Sequence, residues 1–419
     1  MMANRLIHAS ALLWALLSLA PRPAHAESWL SDRMDVFGKV SAESRIFPES
    51  GIHPGQRSHA SGLSLETTAY IEGDGGGSFT ITPFLRFDAG DPERTHADLR
   101  EAYFLTYGDA GDGEWELRLG IDRVFWGVAE ARSLVDIINQ TDLVEHPNAK
   151  SKLGQPMAHF TLSGDWGVLE LFGLTGHRKR TFPGEHGRFR ALPVVDNGRA
   201  TYESADEEWH VDLAGRYSNS FGALDIGLSV FDGTSREPAF RPAVLGQSPP
   251  LVVLAPHYEQ IRQYGLDGQI TTGPVLLKLE AIRRIGGQNR AMQEEDYTAS
   301  IMGGEYIING PWDTNSDLSL FAEWLRDDRG RNATDALANS VFLGARLGLN
   351  DEHGTDFFLG VLDSRETGSR VFNAEFNRRL SDSLSLHVES IAHIGFESDE
   401  TVRDTSRDSF VGISLEYNF

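Results

Sequence analysis

The sequence predicts an all-β protein, a transmembrane antiparallel β-barrel of about 18 strands, with 16 as the alternative count. Three observations predict it. The chain ends on a segment with strict two-residue periodicity, it begins with an export signal, and its connections alternate between long and short. No later stretch is apolar enough to form a membrane helix, so strands must make any membrane span.

The carboxyl-terminal segment, residues 408–419, reads DSFVGISLEYNF. One face of an extended strand would carry its large apolar residues, which are Val411, Ile413, Leu415, Tyr417 and Phe419. A terminal strand leaves an open edge unless its sheet closes, and a membrane requires closure. An edge strand of a soluble sandwich is the alternative. In a barrel, we expect the strand ending at Phe419 to engage the barrel assembly machinery.

The amino terminus predicts export. Arg5 precedes an apolar run over residues 9–20, and Ala24-His25-Ala26 supplies an A-x-A cleavage site. This is typical of a signal peptide at residues 1–26. We therefore expect residues 27–419 to form a single outer-membrane β-barrel domain in a Gram-negative cell. The chain has no cysteine, which excludes thiolate chemistry, and its net charge of −23 argues against a nucleic-acid partner.

Eighteen segments alternate between apolar and polar residues. They are 36–47, 61–72, 78–88, 97–107, 115–123, 157–163, 167–174, 208–217, 223–232, 261–271, 275–285, 297–308, 317–326, 340–350, 356–363, 369–380, 384–393 and 408–419. The connections that follow even-numbered segments are tight and rich in turn residues, as in Gly73–Gly77. Most of the others are long. This alternation predicts short periplasmic turns and long extracellular loops.

The third long connection is the most unusual stretch. Leu134, Val135, Ile137 and Ile138 recur at helical spacing after a break at Trp126-Gly127. We interpret residues 123–157 as an inward-folded loop with a short helix; a loop that caps the rim is the alternative. The candidate constriction residues are Arg123, Trp126, Glu130, Arg132, Asp136 and Asp142.

Part of the chain resembles a known group. The segments are LREAY at 99–103, LRLG at 117–120, FWGVAE at 125–130 and DIINQTD at 136–142. Over about residues 99–142 they resemble porin-like outer-membrane barrels related to the alginate-export porin. Those barrels usually carry Leu-Gly-Arg-Gln before the Trp-Gly, where this chain has Ile121-Asp122-Arg123. The resemblance implies an outer-membrane channel and does not imply alginate as the solute.

Strand parity predicts the lumen-facing side chains. The candidate pore-lining residues are Arg86, Asp98, Arg100, Glu116, Arg118 and Asp122. Neighbouring strands lie about 4.8 Å apart, so these side chains would form one ladder. Charges arranged in this way select solutes by charge. A structural salt-bridge network that stiffens the wall is the alternative, and the two roles are compatible.

The predicted function is a channel for passive diffusion of small hydrophilic solutes, without enzymatic activity or cofactors. An adhesin or assembly scaffold, or a barrel lipase or protease, is the alternative. Lipid and lipopolysaccharide are the expected surroundings. The histidines show no H-x-x-x-H spacing, so no metal site is predicted. The total charge favours cations and the inner arginines favour anions; we expect the local lumen charges to decide.

Overall fold

The strands account for nearly all of the regular structure. The computed structural model describes residues 33–246, 250–335, 337–396 and 402–419, so the predicted signal peptide lies outside the described residues. In chain order the strands are β1 Met34–Ile46, β2 His59–Glu72, β3 Ser78–Asp88, β4 His96–Ala110, β5 Gly113–Asp122, β6 Gln155–Gly164, β7 Gly167–Leu174, β8 Thr201–Tyr202, β9 Asp212–Phe221, β10 Leu224–Thr234, β11 Ala239–Leu245, β12 Leu251–Tyr258, β13 Gln260–Thr272, β14 Val275–Ile285, β15 Tyr297–Asn309, β16 Asp317–Asp327, β17 Ser340–Gly348, β18 Asp356–Ser364, β19 Arg370–Arg379, β20 Leu384–Ile394 and β21 Phe410–Asn418.

Eighteen strands, all except β8, β11 and β12, pair in chain order into one antiparallel sheet. The sheet closes because β1 pairs with β2 on one side and with β21 on the other. Lys39, for example, lies opposite both Glu66 and Asn418. Closure leaves no edge strand. The predicted fold class and the count of 18 strands are therefore confirmed.

The predicted boundaries are close to the observed ones, and 78–88, 167–174 and 275–285 match β3, β7 and β14. The largest error is the strand predicted at 208–217, since β9 begins at Asp212. Trp209 and Val211 continue the apolar alternation and are exposed, although they precede the ladder. The alternation therefore extended the predicted strand beyond its hydrogen-bonded part.

The two faces of the barrel differ in chemistry. On β21 and at Phe419, which follows it, the five large apolar residues of the terminal pattern are all exposed on the outside, as the sequence predicted. Phe410 and Gly412 alternate with them and are buried on the inside. Strand β14 shows the same arrangement, with Leu277 and Leu279 exposed and Glu280 buried. The outer surface thus presents an apolar band, and the inner surface carries most of the polar side chains.

A β-bulge interrupts this alternation on β4. Thr82 lies opposite Glu101 and Pro83 lies opposite Leu99, so Arg100 has no direct partner across the strands. A bulge is also where a sheet tolerates proline. As a result Arg100 and Glu101 are consecutive in sequence yet both reach groups inside the barrel, at Asp142 and Arg123 respectively.

A second, small sheet lies in the loops and was not predicted. Strand β11 pairs with β12 in antiparallel fashion, and β12 pairs with β8 in parallel through Tyr258 and Tyr202. The helical elements of the described residues are 3₁₀ turns at Pro92–Arg94, Asn197–Arg199, Glu207–Trp209, Pro311–Asp313, Gly330–Asn332 and Arg403–Thr405. None of the described helices has the length and apolarity needed to cross a membrane.

Candidate functional site

The connection between β5 and β6, residues 123–154, lies against the inner wall of the barrel. Glu280 of β14 is fully buried, and its carboxylate accepts the backbone N–H groups of Val128, Ala129 and Leu134 at 2.7, 2.9 and 2.6 Å. Glu323 of β16 accepts the N–H groups of Glu130 and Ala131 at 2.7 and 2.8 Å. Two inward carboxylates thus provide partners for backbone groups that would otherwise be buried and unpaired.

The short helix predicted in this loop is wrong, because residues 123–154 contain no helix. The backbone N–H of Leu134 donates to Glu280, and the hydroxyl of Ser133 donates to the same carboxylate at 3.1 Å. These partners lie on the wall and replace the hydrogen bonds of a helical turn. The apolar residues at helical spacing are buried by packing on the wall in an irregular conformation.

Apolar side chains of the loop cover one side of the lumen. Trp126, Val135, Ile137 and Ile138 pack in one cluster with inward-facing residues of the barrel. A second cluster adds Ala129, Ala131 and Leu134 from the loop. We call this part of the barrel the covered wall; its residues are Phe172, Phe231, Glu280, Ile282, Ala299, Ile301 and Phe321. Burial of this surface favours the inward position of the loop.

The DIINQTD segment fastens the loop to the barrel. Asn139 donates to the carbonyl oxygens of Asp122 and Leu153 at 2.8 and 2.9 Å and accepts the N–H of Val124 at 2.8 Å. Its amide therefore joins the two ends of the loop. Asp142 is fully buried and accepts from Arg100 at 2.9 Å and from Thr181 at 2.6 Å.

Sequence reasoning missed Asn139 and Glu280, which anchor the loop. For Glu280 the signal was a carboxylate between apolar neighbours in a strand, Leu279-Glu280-Ala281.

Four of the six predicted pore-lining residues are covered. Arg86 binds Glu145 through contacts of 2.7 to 3.0 Å, and Arg100 binds Asp98 at 3.2 Å. The side chains of Arg86, Asp98, Arg100 and Asp122 are each less than 10% exposed. All four side chains face inward, as strand parity predicts. The part of the loop around Asp142 and Glu145 lies over Arg86, Asp98 and Arg100. For these residues the salt-bridge network describes the geometry better than an open lining.

The other two predicted lining residues are accessible. Arg118 contacts Glu116 at 2.7 Å and Asp122 at 3.2 Å, and the Arg118 and Glu116 side chains are 31% and 33% exposed. Further accessible inward charges are paired with acids on the same side, Lys39 with Glu416 at 3.1 Å among them. We call this side the exposed wall; its residues are Lys39, Glu101, Glu116, Arg118, Arg346 and Glu416.

The predicted constriction residues separate into two groups. Trp126, Asp136 and Asp142 are buried in the loop's attachment, where Lys152 contacts Asp136 at 3.0 Å. Burial raises the pKa of the Asp136 carboxyl, although Lys152 opposes this effect. The accessible group comprises Arg123, Glu130 and Arg132. Arg123 contacts Glu101 at 2.9 Å, and Glu130 contacts Arg346 at 3.6 Å. Arg132 contacts Asp335.

A group of arginines surrounds Glu237 near the long-loop end. Burial alone would raise the pKa of Glu237, but Arg284, Arg180, Arg132 and Arg329 together lower it to about 2. Arg284 contacts Glu237 at 3.1 Å. We call these four arginines and Glu237 the arginine basin. Within it Arg284 and Arg329 are buried, and Arg329 and Arg132 also pair with Asp327 and Asp335.

His96, Asp142 and Glu145 bring three side chains of metal-ligating type close together. Ligand atoms of His96, Asp142 and Glu145 lie within 4.8 Å of one another. Arg100 and Arg86 already bind the two carboxylates at 2.9 and 2.7 Å. A cation would have to displace both guanidinium groups, so we assign no metal to this group.

Comparison with known proteins finds only distant structural similarity. No protein-family model and no curated protein matches the chain. A mutant of Rh. blastica porin has 10% sequence identity and a TM-score of 0.41; the match covers 92% of this chain and 100% of the porin. OmpT, an outer-membrane protein of Vibrio cholerae, has 10% identity and a TM-score of 0.45, with 92% and 99% covered. The fold assignment therefore relies on the strand pairing above.

Proposed function

We propose that this protein is an outer-membrane channel through which small hydrophilic solutes diffuse passively, without catalysis. The observation that carries the proposal is the contrast between the two barrel faces. An apolar band covers the outside of a closed sheet, while paired charges remain accessible on the inner exposed wall. A lipid bilayer suits the first surface and an aqueous passage suits the second.

The proposal includes the route by which the chain reaches the membrane. Residues 1–26 act as a cleaved signal peptide, and the barrel assembly machinery recognises the terminal strand. Phe419 supports this assignment, since it pairs with Gly38 through hydrogen bonds of 2.9 and 3.0 Å and its side chain is exposed on the outside. Lipid and lipopolysaccharide surround the barrel in this arrangement.

The passage runs between the loop and the exposed wall. Arg118, Arg123 and Glu130 line it, and the arginine basin lies toward the long-loop end. Each positive side chain of the exposed wall has an acidic neighbour within 4.0 Å. The field across the passage is therefore weaker than a separated arginine ladder would produce, and we expect modest ion selectivity.

Single-channel recording of the refolded mature chain in planar bilayers tests the proposal. A salt gradient gives the reversal potential, whose sign distinguishes cation from anion preference. The proposal predicts steady ohmic openings. A barrel that is folded by heat-modifiable gel mobility but conducts no current would overturn it.

A further inference from the structure

The lumen contains a cavity beneath the loop, toward the short-turn end of the barrel. The cavity, of about 480 Å³, is bounded by loop residues 125–128 and by inner surfaces of β7, β9, β10 and β13. We call it the turn-side alcove. Phe125 lines it and is 68% exposed as a residue, whereas the adjacent Trp126 is only 3% exposed. The ring of Phe125 is therefore accessible from the cavity, while that of Trp126 is used in packing.

The alcove contains one positive side chain, and a carboxylate already neutralises it. Arg216 binds Asp267 through two hydrogen bonds of 2.6 and 2.7 Å, and its guanidinium lies 5.5 Å from the centre of the Trp126 ring. A bidentate pair of this kind is geometrically fixed. Gly227 gives the pair its space, because a Cβ there would lie 2.3 Å from the Arg216 side chain.

Asp225 supplies the alcove with a carboxylate that is held by neutral groups. Its carboxylate accepts from the Ser220 hydroxyl at 2.6 Å and from the Gln269 amide at 3.0 Å, both neutral donors. Among the described residues, no lysine, arginine or histidine forms an ion pair with Asp225. The alcove therefore combines an accessible carboxylate with an accessible aromatic ring.

We propose that the turn-side alcove is a subsite for a small organic cation. The ammonium group binds the carboxylate of Asp225, and its alkyl groups and positive charge lie over the ring of Phe125. This inference rests on the proposed channel function and deepens it, because it names organic cations as a solute class. A metal cation lacks the alkyl surface that the ring accepts, and an anion is repelled by Asp225.

Calorimetry of the folded, detergent-solubilised mature chain with tetramethylammonium chloride tests the subsite independently of conductance. We expect saturable binding to the wild-type protein. Asp225→Asn should weaken it at least about tenfold, a change of about 1.4 kcal/mol. Phe125→Ala should weaken it by about threefold, while Phe125→Tyr should retain it. Both Phe125 variants should fold, since the residue is mostly exposed.

Glu416→Gln removes an acid of the exposed wall and serves as the matched control, which should bind as the wild type does. The uncharged analogue tert-butanol should not bind. Absence of tetramethylammonium binding, or binding that Asp225→Asn leaves unchanged, would overturn the subsite. Equal binding of tert-butanol would show an apolar cavity and would also overturn it. Binding without any bilayer current would support the subsite and contradict the channel. The failure of the subsite proposal can therefore be distinguished from the failure of the channel proposal.

Discussion

The covered wall and the exposed wall belong to the same sheet but use charge in opposite ways. On the covered wall Glu280 is fully buried and serves the loop backbone. On the exposed wall Glu416 is 33% exposed and pairs with Lys39 across neighbouring strands. Inward position alone therefore does not make a residue part of the passage. The difference depends on whether the loop lies over the residue.

The largest expected effect comes from removing the main loop anchor. Glu280→Ala leaves several buried N–H groups without partners, and each costs about 1–3 kcal/mol. We expect the loop to detach while the strand ladder holds, so that conductance rises and proteases cut within residues 123–154. Glu416→Ala is the matched control and should change stability by about 0–1 kcal/mol. Equal effects of the two substitutions would contradict the distinction between the walls.

A smaller effect is expected from Arg100→Ala, which breaks a buried ion-pair network at the loop's end. Asp98 and Asp142 would each lose a partner in a buried site, which costs about 3–5 kcal/mol. Thermal unfolding in detergent measures the loss. Arg118→Ala is the comparison, because its partially exposed side chain predicts little loss of stability. A reversed order of stability would show that Arg118, and not Arg100, lies in the network.

Arg118 and Arg283 lie on opposite faces of the barrel wall, which predicts a difference in ion selectivity between their variants. Arg118→Gln removes one accessible positive charge, so the reversal potential under a KCl gradient should shift toward cation selectivity. Arg283→Gln removes a positive charge from the outer face of β14, where the side chain is exposed beside Asp296. We expect no shift from it. A shift from Arg283→Gln as large as that from Arg118→Gln would place the passage elsewhere.

The smallest expected effect concerns pH and the arginine basin. The pKa of Glu237 falls from 4.5 to about 2 in the folded chain. Its stabilising contribution is therefore complete above its ordinary pKa and is lost as pH falls from 4.5 through about 2. Thermal unfolding between pH 6 and pH 2 should show a wild-type advantage over Glu237→Gln that shrinks in this window. An advantage that grows on acidification would contradict the assignment.

Local periodicity was sufficient to predict the barrel. The alternation in β14 and β21 follows directly from one apolar and one polar face, and turn residues mark the tight hairpins. Closure followed from the need to leave no edge. Strand alternation and tight turns are determined by residues that are close together in the sequence. They can therefore be recognised without knowledge of the fold.

The site was predicted less well because it depends on contacts between distant residues. Parity gave the direction of Arg100, but only the fold shows that Asp142 covers it. Periodicity suggested a helix at Leu134 because burial against a curved wall produces apolar spacing similar to that of a helix. The exposure of Phe125 beside buried Trp126 has no signal in the sequence alone.

Cysteine accessibility tests the central claim most directly, since the chain has no cysteine of its own. Lys39→Cys would place a thiol on the exposed wall, and Ala299→Cys would place one on the covered wall, where Ala299 is 5% exposed. With a water-soluble methanethiosulfonate reagent applied to the reconstituted channel, we predict rapid modification and reduced current for Lys39→Cys and neither for Ala299→Cys. Rapid modification of Ala299→Cys in the folded protein would contradict a loop that covers this wall.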